Sequence, residues 1–296
     1  MTRVNFVING SRTVHREAGE VIRFFSEHPE MDAASDYTNK QGHARELALK
    51  WCKQGTDVII AGGGDGTLNE VVNGIMQFEG EKPLLGILPN GTGNDFFKGA
   101  VLTVDPEVLL NFVTTGKYRA VDVVRLKSDI GERYFINIAD VGFGARVVEV
   151  LTEQRRIFGK GASYMIAILR AFASYKKPNL RITTETETVT GETLMVAICN
   201  GGIFGNGLTI NPYADMRDGW LDVTVLGKVS LFDYLRNLNN LKKGKKIVHR
   251  EARYLRAKRV EIEVLGGNAV AELDGEYYPE GNVVMDILPE ALKIVG

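Results

Sequence analysis

Up to Tyr118 the spacing of apolar positions alternates between the periods of strands and helices. Val4–Ile8 has the density of a buried strand. Arg16–Glu27 places Ala18, Val21, Ile22 and Phe25 on one helical face, and Gly42–Lys53 does the same with Ala44, Leu47, Ala48 and Trp51. Asp57–Ala61 and Leu84–Leu88 are further strands. Between them Leu68, Val71, Val72, Ile75 and Met76 form the stripe of an amphipathic helix. Pro106–Thr114 is a short helix that opens on proline. Strands alternating with helices predict a mostly parallel sheet in a three-layer, Rossmann-like α/β domain.

After Tyr118 strand-like segments dominate: Ala120–Leu126, Arg133–Ala139, Leu180–Thr190, Leu194–Cys199, Leu221–Leu226, Arg259–Leu265, Val270–Leu273 and Asn282–Leu288. Val260, Ile262 and Val264 alternate with Glu261 and Glu263, the period of a half-exposed sheet. Asp218-Gly219 and Gly266-Gly267 are turn dipeptides. Helical pieces near Ser163–Tyr175 and Leu231–Leu241 interrupt the pattern. The expectation is an antiparallel, sandwich-like β-rich domain over residues 120–296, following an α/β domain over residues 1–119. Neither internal repeats nor a low-complexity linker is present.

Composition adds a few exclusions. At 296 residues, 44% hydrophobic and 25% charged, the chain is long enough for two ordinary domains. A formal charge of −1 argues against a polyanionic partner such as nucleic acid, though local clusters retain their own field. Cys52 and Cys199 are far apart and lack CxxC spacing, which predicts buried, reduced thiols in a cytoplasmic chain. The histidines, His15, His28, His43 and His249, show no metal-ligand spacing. The apolar run Met1–Asn9 is too short for a signal peptide, and no stretch approaches the roughly 20 apolar residues of a spanning helix. Membrane contact is therefore expected to be peripheral.

The strongest chemical signal is Gly62-Gly63-Gly64-Asp65-Gly66-Thr67, between a strand and a helix. Glycines let the backbone turn sharply and approach a ligand. Free N–H groups and the helix macrodipole favour phosphate there. The loop is neither a Walker A sequence nor a GxGxxG fingerprint, because Thr67 stands at the last glycine position. A second loop, Pro89-Asn90-Gly91-Thr92-Gly93-Asn94-Asp95-Phe96, follows the next strand. A plain Asn-Gly turn explains half of it. Two such loops one βα unit apart, at the end of a sheet where open α/β folds bind ligands, point to a nucleotide crevice.

GGGDGTLNEVVNGI followed by LPNGTGNDF resembles the bacterial diacylglycerol kinase and related lipid kinase family, whose catalytic domain is shared with sphingosine kinases. Further matches run through the chain: Thr38 with Gly42-His43-Ala44, the segment from Asn211 to Asp222, and Asp274-Gly275-Glu276. The resemblance implies an ATP-dependent lipid kinase, with the nucleotide in a crevice between the two domains and a lipid alcohol as acceptor. Diacylglycerol leads, and phosphatidylglycerol or a sphingoid base fits the same motifs. It implies a nucleotide set of Asn9, Gly10, Ser11, Arg12, Thr13, Thr38, Gly63, Gly64, Asp65, Gly66, Thr67, Asn69, Glu70, Gly91 and Thr92. The family's first loop is usually Asn-Pro with small residues. Here it is Asn9-Gly10-Ser11-Arg12-Thr13, whose N–H and hydroxyl groups can still face phosphate.

The resemblance also makes Asp215, Asp218 and the carbonyl of Trp220 ligands of a structural Mg²⁺, a second Mg²⁺ accompanying ATP. Two carboxylates beside a turn glycine suit a hard cation, although an acidic surface turn has the same composition. Asp274-Gly275-Glu276 is by composition an ordinary turn. As the family's late catalytic element it would supply the base, Asp274, with Glu276 orienting or substituting, while Asp65 holds the metal–phosphate assembly.

Two basic stretches bear on partners. Gln154–Lys177 has no acidic residue and carries Arg155, Arg156, Lys160, Arg170, Lys176 and Lys177 around Tyr164, Ile166, Ile168, Leu169 and Phe172. Lys242–Arg259 carries nine Lys or Arg against Glu251 alone. Mixed basic and apolar surface suits an anionic membrane at the inner face, and a solvated face has the same composition. No nucleic-acid module accompanies the charge. A homodimer is left open. Competing expectations are an NAD-kinase-like enzyme sharing the GGDGT loop, a nucleotide-binding regulatory protein that has lost catalysis, and a pure membrane-binding module, which leaves the glycine loops unexplained.

Overall fold

The structure, a computed structural model, describes residues 1–11, 13, 16–91, 93–153, 160–205, 207–279 and 281–296, the side chains of 152, 153 and 160–164 excepted. Arg12 and Thr92 of the expected nucleotide set, His15, and Arg155 and Arg156 lie outside the described residues, as do the side chains of Lys160 and Tyr164. The chain forms two compact units. One comprises Met1–Val123, Tyr134–Ile136 and Leu288–Gly296; the other comprises Val124–Arg133 and Asn137–Ile287. This division differs from a single cut at residues 119/120. The chain returns to the first unit twice, the second time within its last strand.

The first unit contains β1 (Thr2–Ile8), α1 (Arg16–Glu27), β2 (Met31–Tyr37), α2 (His43–Lys53), β3 (Val58–Gly63), α3 (Asp65–Met76), β4 (Leu84–Pro89), α4 (Asp95–Ala100) and α5 (Pro106–Thr115). The strands run parallel in the order β2-β1-β3-β4. Every residue of β3 is buried, as a sheet covered on both faces requires. Val4, Phe6, Ile8, Val58 and Ile60 pack with Ala18, Val21 and Phe25 of α1 and Leu109 and Val113 of α5. Helices α2 and α3 pack against each other, α2 also touching β1 and α3 touching β3. A Cβ on Gly74 would stand 2.5 Å from the Arg45 carbonyl oxygen, so glycine sets this helix spacing. Strand β2 was not expected from the apolar pattern. It is an edge strand with only Met31 buried, and its sequence, MDAASDY, carries almost no apolar period.

Next come β5 (Arg119–Ser128), β6 (Gly131–Phe135), β7 (Ile138–Gly142), α6 (Phe143–Glu153), α7 (Lys160–Ser174), β8 (Asn179–Thr183), β9 (Thr188–Glu192) and β10 (Met195–Cys199). A short hairpin, β11 (Ile203–Phe204) and β12 (Leu208–Thr209), precedes β13 (Leu221–Leu226), α8 (Leu231–Lys242), β14 (Ala252–Ala257), β15 (Arg259–Gly266), β16 (Ala271–Leu273), β17 (Glu276–Tyr278) and β18 (Val283–Ile294). In the second unit a six-stranded antiparallel sheet runs β14-β13-β10-β7-β16-β17. Strand β15 pairs antiparallel with β8 and with the first part of β18, and β8 with β9. Val260 and Ile262 are buried while Glu261 and Glu263 are exposed, the alternation expected of β15. Helices α6, α7 and α8 join Met195, Ala197 and Cys199 of β10 in one apolar cluster. Phe143, Phe172, Tyr175 and Tyr234 meet there with ring centroids 4.3–5.7 Å apart. Cys52 and Cys199 are both free and buried. Among the described residues no helix is long and apolar enough to cross a membrane.

Two segments expected as single strands are broken. Leu180–Thr190 is a hairpin, because the Thr184 hydroxyl accepts the N–H groups of Thr186 and Glu187 and turns the chain without Gly or Pro. Arg133–Ala139 splits between β6 and β7 where the chain passes from one unit to the other. The pattern also missed α4, α6, the β11–β12 hairpin, β14 and the short β17.

Candidate functional site

Four parallel strands end side by side, and the segments after them form one edge. Here the two glycine loops meet backbone to backbone. A Cβ on Gly91 would stand 2.4 Å from the Cα of Gly64, and one on Gly93 2.9 Å from Oδ2 of Asp65. Gly63 is equally constrained, since a Cβ there would reach Oγ1 of Thr67 at 2.4 Å. The glycines are thus required by contact, and that contact leaves two lengths of main chain adjacent to one another. The loop after β1 joins the same edge. The N–H of Asn9 donates to the Gly62 carbonyl at 2.8 Å, and its Nδ2 to Oγ1 of Thr67 at 3.0 Å. Its Oδ1 accepts from the N–H and hydroxyl of Ser11. The N–H of Gly10 donates to Oγ1 of Thr38 at 3.2 Å, tying in the end of β2, and Nδ2 of Asn90 donates to the carbonyl of Thr13 at 3.3 Å.

Asn69 and Glu70, placed in the nucleotide set by resemblance, hold neighbouring backbone. Both Glu70 oxygens are used at the start of α2, Oε1 accepting from Gly42 at 2.7 Å and Oε2 from Ala44 at 3.0 Å. Nδ2 of Asn69 donates to the Tyr134 carbonyl at 3.2 Å, alongside Nδ2 of Asn73 at 2.8 Å.

Asp65 is the first residue of α3 and accepts the N–H of Phe96 at 3.4 Å. Burial, then the neighbouring charge of Asp95, raise its pKa above the ordinary carboxylate value, while the N–H groups of residues 94–96 act in the opposite direction. Asp95, first residue of α4 and 7% exposed, was absent from the sequence-derived set. A signal for it was present: each glycine loop ends in an aspartate that opens the following helix. Two carboxylates that repel each other beside open main chain have the chemistry to hold a hard cation.

In the second unit Asp274 and Gly275 take φ of 51° and 87° and form the two-residue turn between β16 and β17. The unusual backbone of Asp274 is held on both sides. Its Oδ1 accepts the N–H groups of Asn137 at 3.0 Å and Ile138 at 3.1 Å, and its own N–H donates to the Ile138 carbonyl at 2.9 Å. The carboxylate therefore has a fixed orientation at the start of β7. Glu276, the first residue of β17, is partly exposed beyond it.

Behind this turn lies a second carboxylate pair that the sequence did not suggest. Asp140 of β7 and Glu272 of β16 are register partners, 1% and 7% exposed. Burial raises Asp140 to about 7, the N–H groups of Gly144 and Ala145 at the start of α6 offsetting part of the effect. Among the described residues neither Asp140 oxygen gains a hydrogen bond of full geometry. Burial, then the charges of Asp140 and Asp274, raise Glu272 to about 8.

The Asp215–Trp220 loop holds its carboxylates on arginines. Oδ1 of Asp215 accepts from the N–H of Arg217 at 3.2 Å and from its Nε at 3.1 Å. Oδ1 of Asp218 accepts the N–H of Trp220 at 3.0 Å, and its Oδ2 pairs with Arg256. Arg256 and Lys258 also lie over the Trp220 ring. The donor set of two carboxylates and a carbonyl has hard-cation chemistry, and an ion there would compete with Arg217 and Arg256. Among the described residues no cluster of three or more His, Cys, Asp or Glu is gathered as for a metal.

Residues 3–126 match the family described as diacylglycerol kinase catalytic domain, and residues 137–296 match the YegS C-terminal NAD kinase beta sandwich-like domain. A protein of Shewanella frigidimarina named "Probable lipid kinase YegS-like" is 28% identical, the alignment covering 100% of this chain and 94% of that protein. One of the same name from Yersinia pestis is 29% identical over 99% and 96%. Among solved structures, a diacylglycerol kinase of Bacillus anthracis superimposes with a TM-score of 0.71 at 19% identity, covering 99% and 96% of the two chains. An NAD kinase of Archaeoglobus fulgidus in complex with ATP gives 0.52 at 11%, covering 99% and 92%. At such identities these two structures support the fold alone.

Proposed function

The chain belongs to the YegS-like lipid kinase family with a diacylglycerol kinase catalytic domain, and from that membership we propose that it transfers the γ-phosphate of ATP to the hydroxyl of diacylglycerol or a related lipid alcohol. The observation that carries this reading is the contact of Gly64 with Gly91, which sets two glycine loops and the carboxylates of Asp65 and Asp95 on one strand edge.

Backbone N–H groups of the Gly63–Thr67 loop bind the phosphates, with Asn9, Gly10, Ser11, Thr38 and Gly91 beside them. Asp65 and Asp95 would hold the Mg²⁺ that accompanies ATP; bound there, it would neutralise charge on the phosphoryl group. Asp274 takes the proton of the lipid hydroxyl as that oxygen attacks phosphorus, and Glu276 orients it. A second Mg²⁺ at Asp215, Asp218 and the Trp220 carbonyl would be structural. The acceptor lies in a membrane, and cationic surface of the second unit gives peripheral contact with anionic lipid.

The test is a radiolabelled-ATP assay in detergent micelles containing diacylglycerol, phosphatidylglycerol or a sphingoid base, with NAD as a water-soluble acceptor. Label in one of the lipids is the expected result. Label in NAD supports the NAD-kinase reading instead, and ATP binding without transfer to any acceptor supports a regulatory protein.

A further inference from the structure

The stretch Lys242–Arg259, uniform in sequence, divides in the structure. Its strand half is largely paired: Arg253 with Glu187, Arg256 with Asp218 and Arg259 with Asp286, while Lys258 lies over the Trp220 ring. In its first half Arg250 pairs with Glu251 and Lys246 lies over the Tyr254 ring, and the remaining cations stand apart. Among the described residues Lys242, Lys243 and Lys245 make no ion pair, nor does Arg236 on α8. Residues 231–250 carry six Lys or Arg against one acid, Asp233.

Within this cationic region stand Phe232, 73% exposed, and Val248, 86% exposed, the two most exposed large apolar side chains described in the second unit. They are sixteen residues apart in sequence. The fold brings their neighbours together, since Nε2 of His249 lies 3.6 Å from Oδ2 of Asp233. Asp233 is itself fixed by the Ser230 hydroxyl at 2.6 Å. The loop is pinned on both sides of Val248. Ile247 is 6% exposed and donates its N–H to the Tyr254 hydroxyl at 2.8 Å, while Nδ1 of His249 accepts the N–H of Glu251 at 3.1 Å. Val248 is therefore held outward by fixed neighbours.

We infer that Phe232 and Val248, drawn together by the His249–Asp233 contact and flanked by unpaired cations, form an anchor that inserts into an anionic lipid bilayer. Side chains this exposed protrude and do not line a groove, which suits fluid hydrocarbon better than a shaped protein partner. The surrounding cations match anionic headgroups in sign, and apolar insertion with headgroup attraction is the usual pairing at an interface. The choice of a lipid surface as partner rests on the lipid-kinase reading; the placement of the anchor rests on the structure alone.

Flotation of the full chain with phosphatidylglycerol/phosphatidylcholine vesicles tests this. Phe232→Ser with Val248→Ser should lower partitioning about tenfold or more at every salt concentration. Lys242→Gln with Lys243→Gln and Lys245→Gln should remove the preference for phosphatidylglycerol and most of the salt dependence. In Val248→Trp the added fluorescence should be quenched by brominated acyl chains, relative to wild type, whose tryptophans are Trp51 and Trp220. Unquenched emission from vesicle-bound Val248→Trp overturns the inference. So does loss of self-association, and not of vesicle binding, in the serine variant. Transfer to lipid in detergent micelles should be unchanged in the serine variant. If wild type phosphorylates no lipid there yet Val248→Trp is quenched, the kinase reading fails and the anchor stands.

Discussion

Asp65 and Asp95 open α3 and α4, where N–H groups and bare glycine backbone surround their carboxylates. Asp140 and Glu272 face each other in the middle of an antiparallel sheet, Asp140 below the start of α6 and near Tyr175, whose hydroxyl is raised by burial and then by the charge of Asp140. At Asp65 burial and the neighbouring charge of Asp95 raise the carboxyl, and the N–H groups of residues 94–96 offset part of that rise, beside a loop that can receive phosphate. In the second pair burial dominates and both carboxyls hold protons towards neutral pH. Carboxylates thus stand beside open loop backbone in one unit and, buried and protonatable, in the middle of a sheet in the other. Asp65 and Asp140 both receive N–H groups at helix starts, so burial and neighbouring charge set how far each carboxyl rises.

The contrast breaks most sharply at Asp65. Asp65→Asn should lower kcat/KM on the order of 10²–10³-fold, as for loss of a charge-stabilising group. It should not lower the melting temperature, because burial and repulsion by Asp95 both weigh against the carboxylate. Wild-type turnover in this variant removes the first pair from the chemistry.

Gly91→Ala is the next largest effect. The new Cβ must displace Gly64 or Oδ1 of Asn94, 2.7 Å away, so ATP affinity should fall about tenfold or more with loss of stability. Gly19→Ala in α1 meets nothing within 4 Å and should stabilise by roughly 0.5–1 kcal/mol. Equal behaviour of the two alanine variants would mean that the loop contact does not matter.

The second pair predicts a pH dependence. Its carboxyls rise from ordinary values of 3.8 and 4.5 to about 7 and about 8, so the folded state binds more protons than the unfolded state across that window. Their contribution is full below about pH 4 and is lost as pH rises through about 7 and 8. Asp140→Asn should flatten this slope and raise stability at pH 8 relative to wild type. Denaturant titrations with the same slope for both proteins would show that Asp140 is charged throughout.

The smallest effect belongs to the Asp215–Trp220 loop. Chelation should lower the melting temperature by a few degrees, and Arg256→Gln should tighten Mg²⁺ binding by removing a competitor for Asp218. Calorimetry showing no Mg²⁺ binding to either protein would leave the loop as arginine-paired surface.

Much of the first unit was legible in the sequence because parallel strands buried on both faces are apolar runs and amphipathic helices have one period. The glycine loops were legible because a Cβ has no room at Gly63 or Gly91 and little at Gly64. Strand β2 was not, since an edge strand needs few apolar positions. The Thr184 turn was not, since a hydroxyl there does the work usually signalled by Gly or Pro. Asp140 and Glu272 were hidden because 132 residues separate them and only strand register makes them neighbours. The division within Lys242–Arg259 was hidden likewise, because the sequence does not show which of its cations meet a carboxylate.

Under the proposed function the first unit would hold the nucleotide and the second would supply the group that takes the lipid proton. Steady-state kinetics of Asp274→Asn beside Glu276→Gln test it most directly, with ATP and the preferred lipid in micelles. Asp274→Asn keeps a carbonyl oxygen for the N–H groups of Asn137 and Ile138 but removes the basicity. The account predicts a kcat lower by about 10²–10⁴-fold with the KM for ATP nearly unchanged, and a smaller loss for Glu276→Gln. A near-normal kcat for Asp274→Asn with an inactive Glu276→Gln would contradict the assignment and place the base at Glu276.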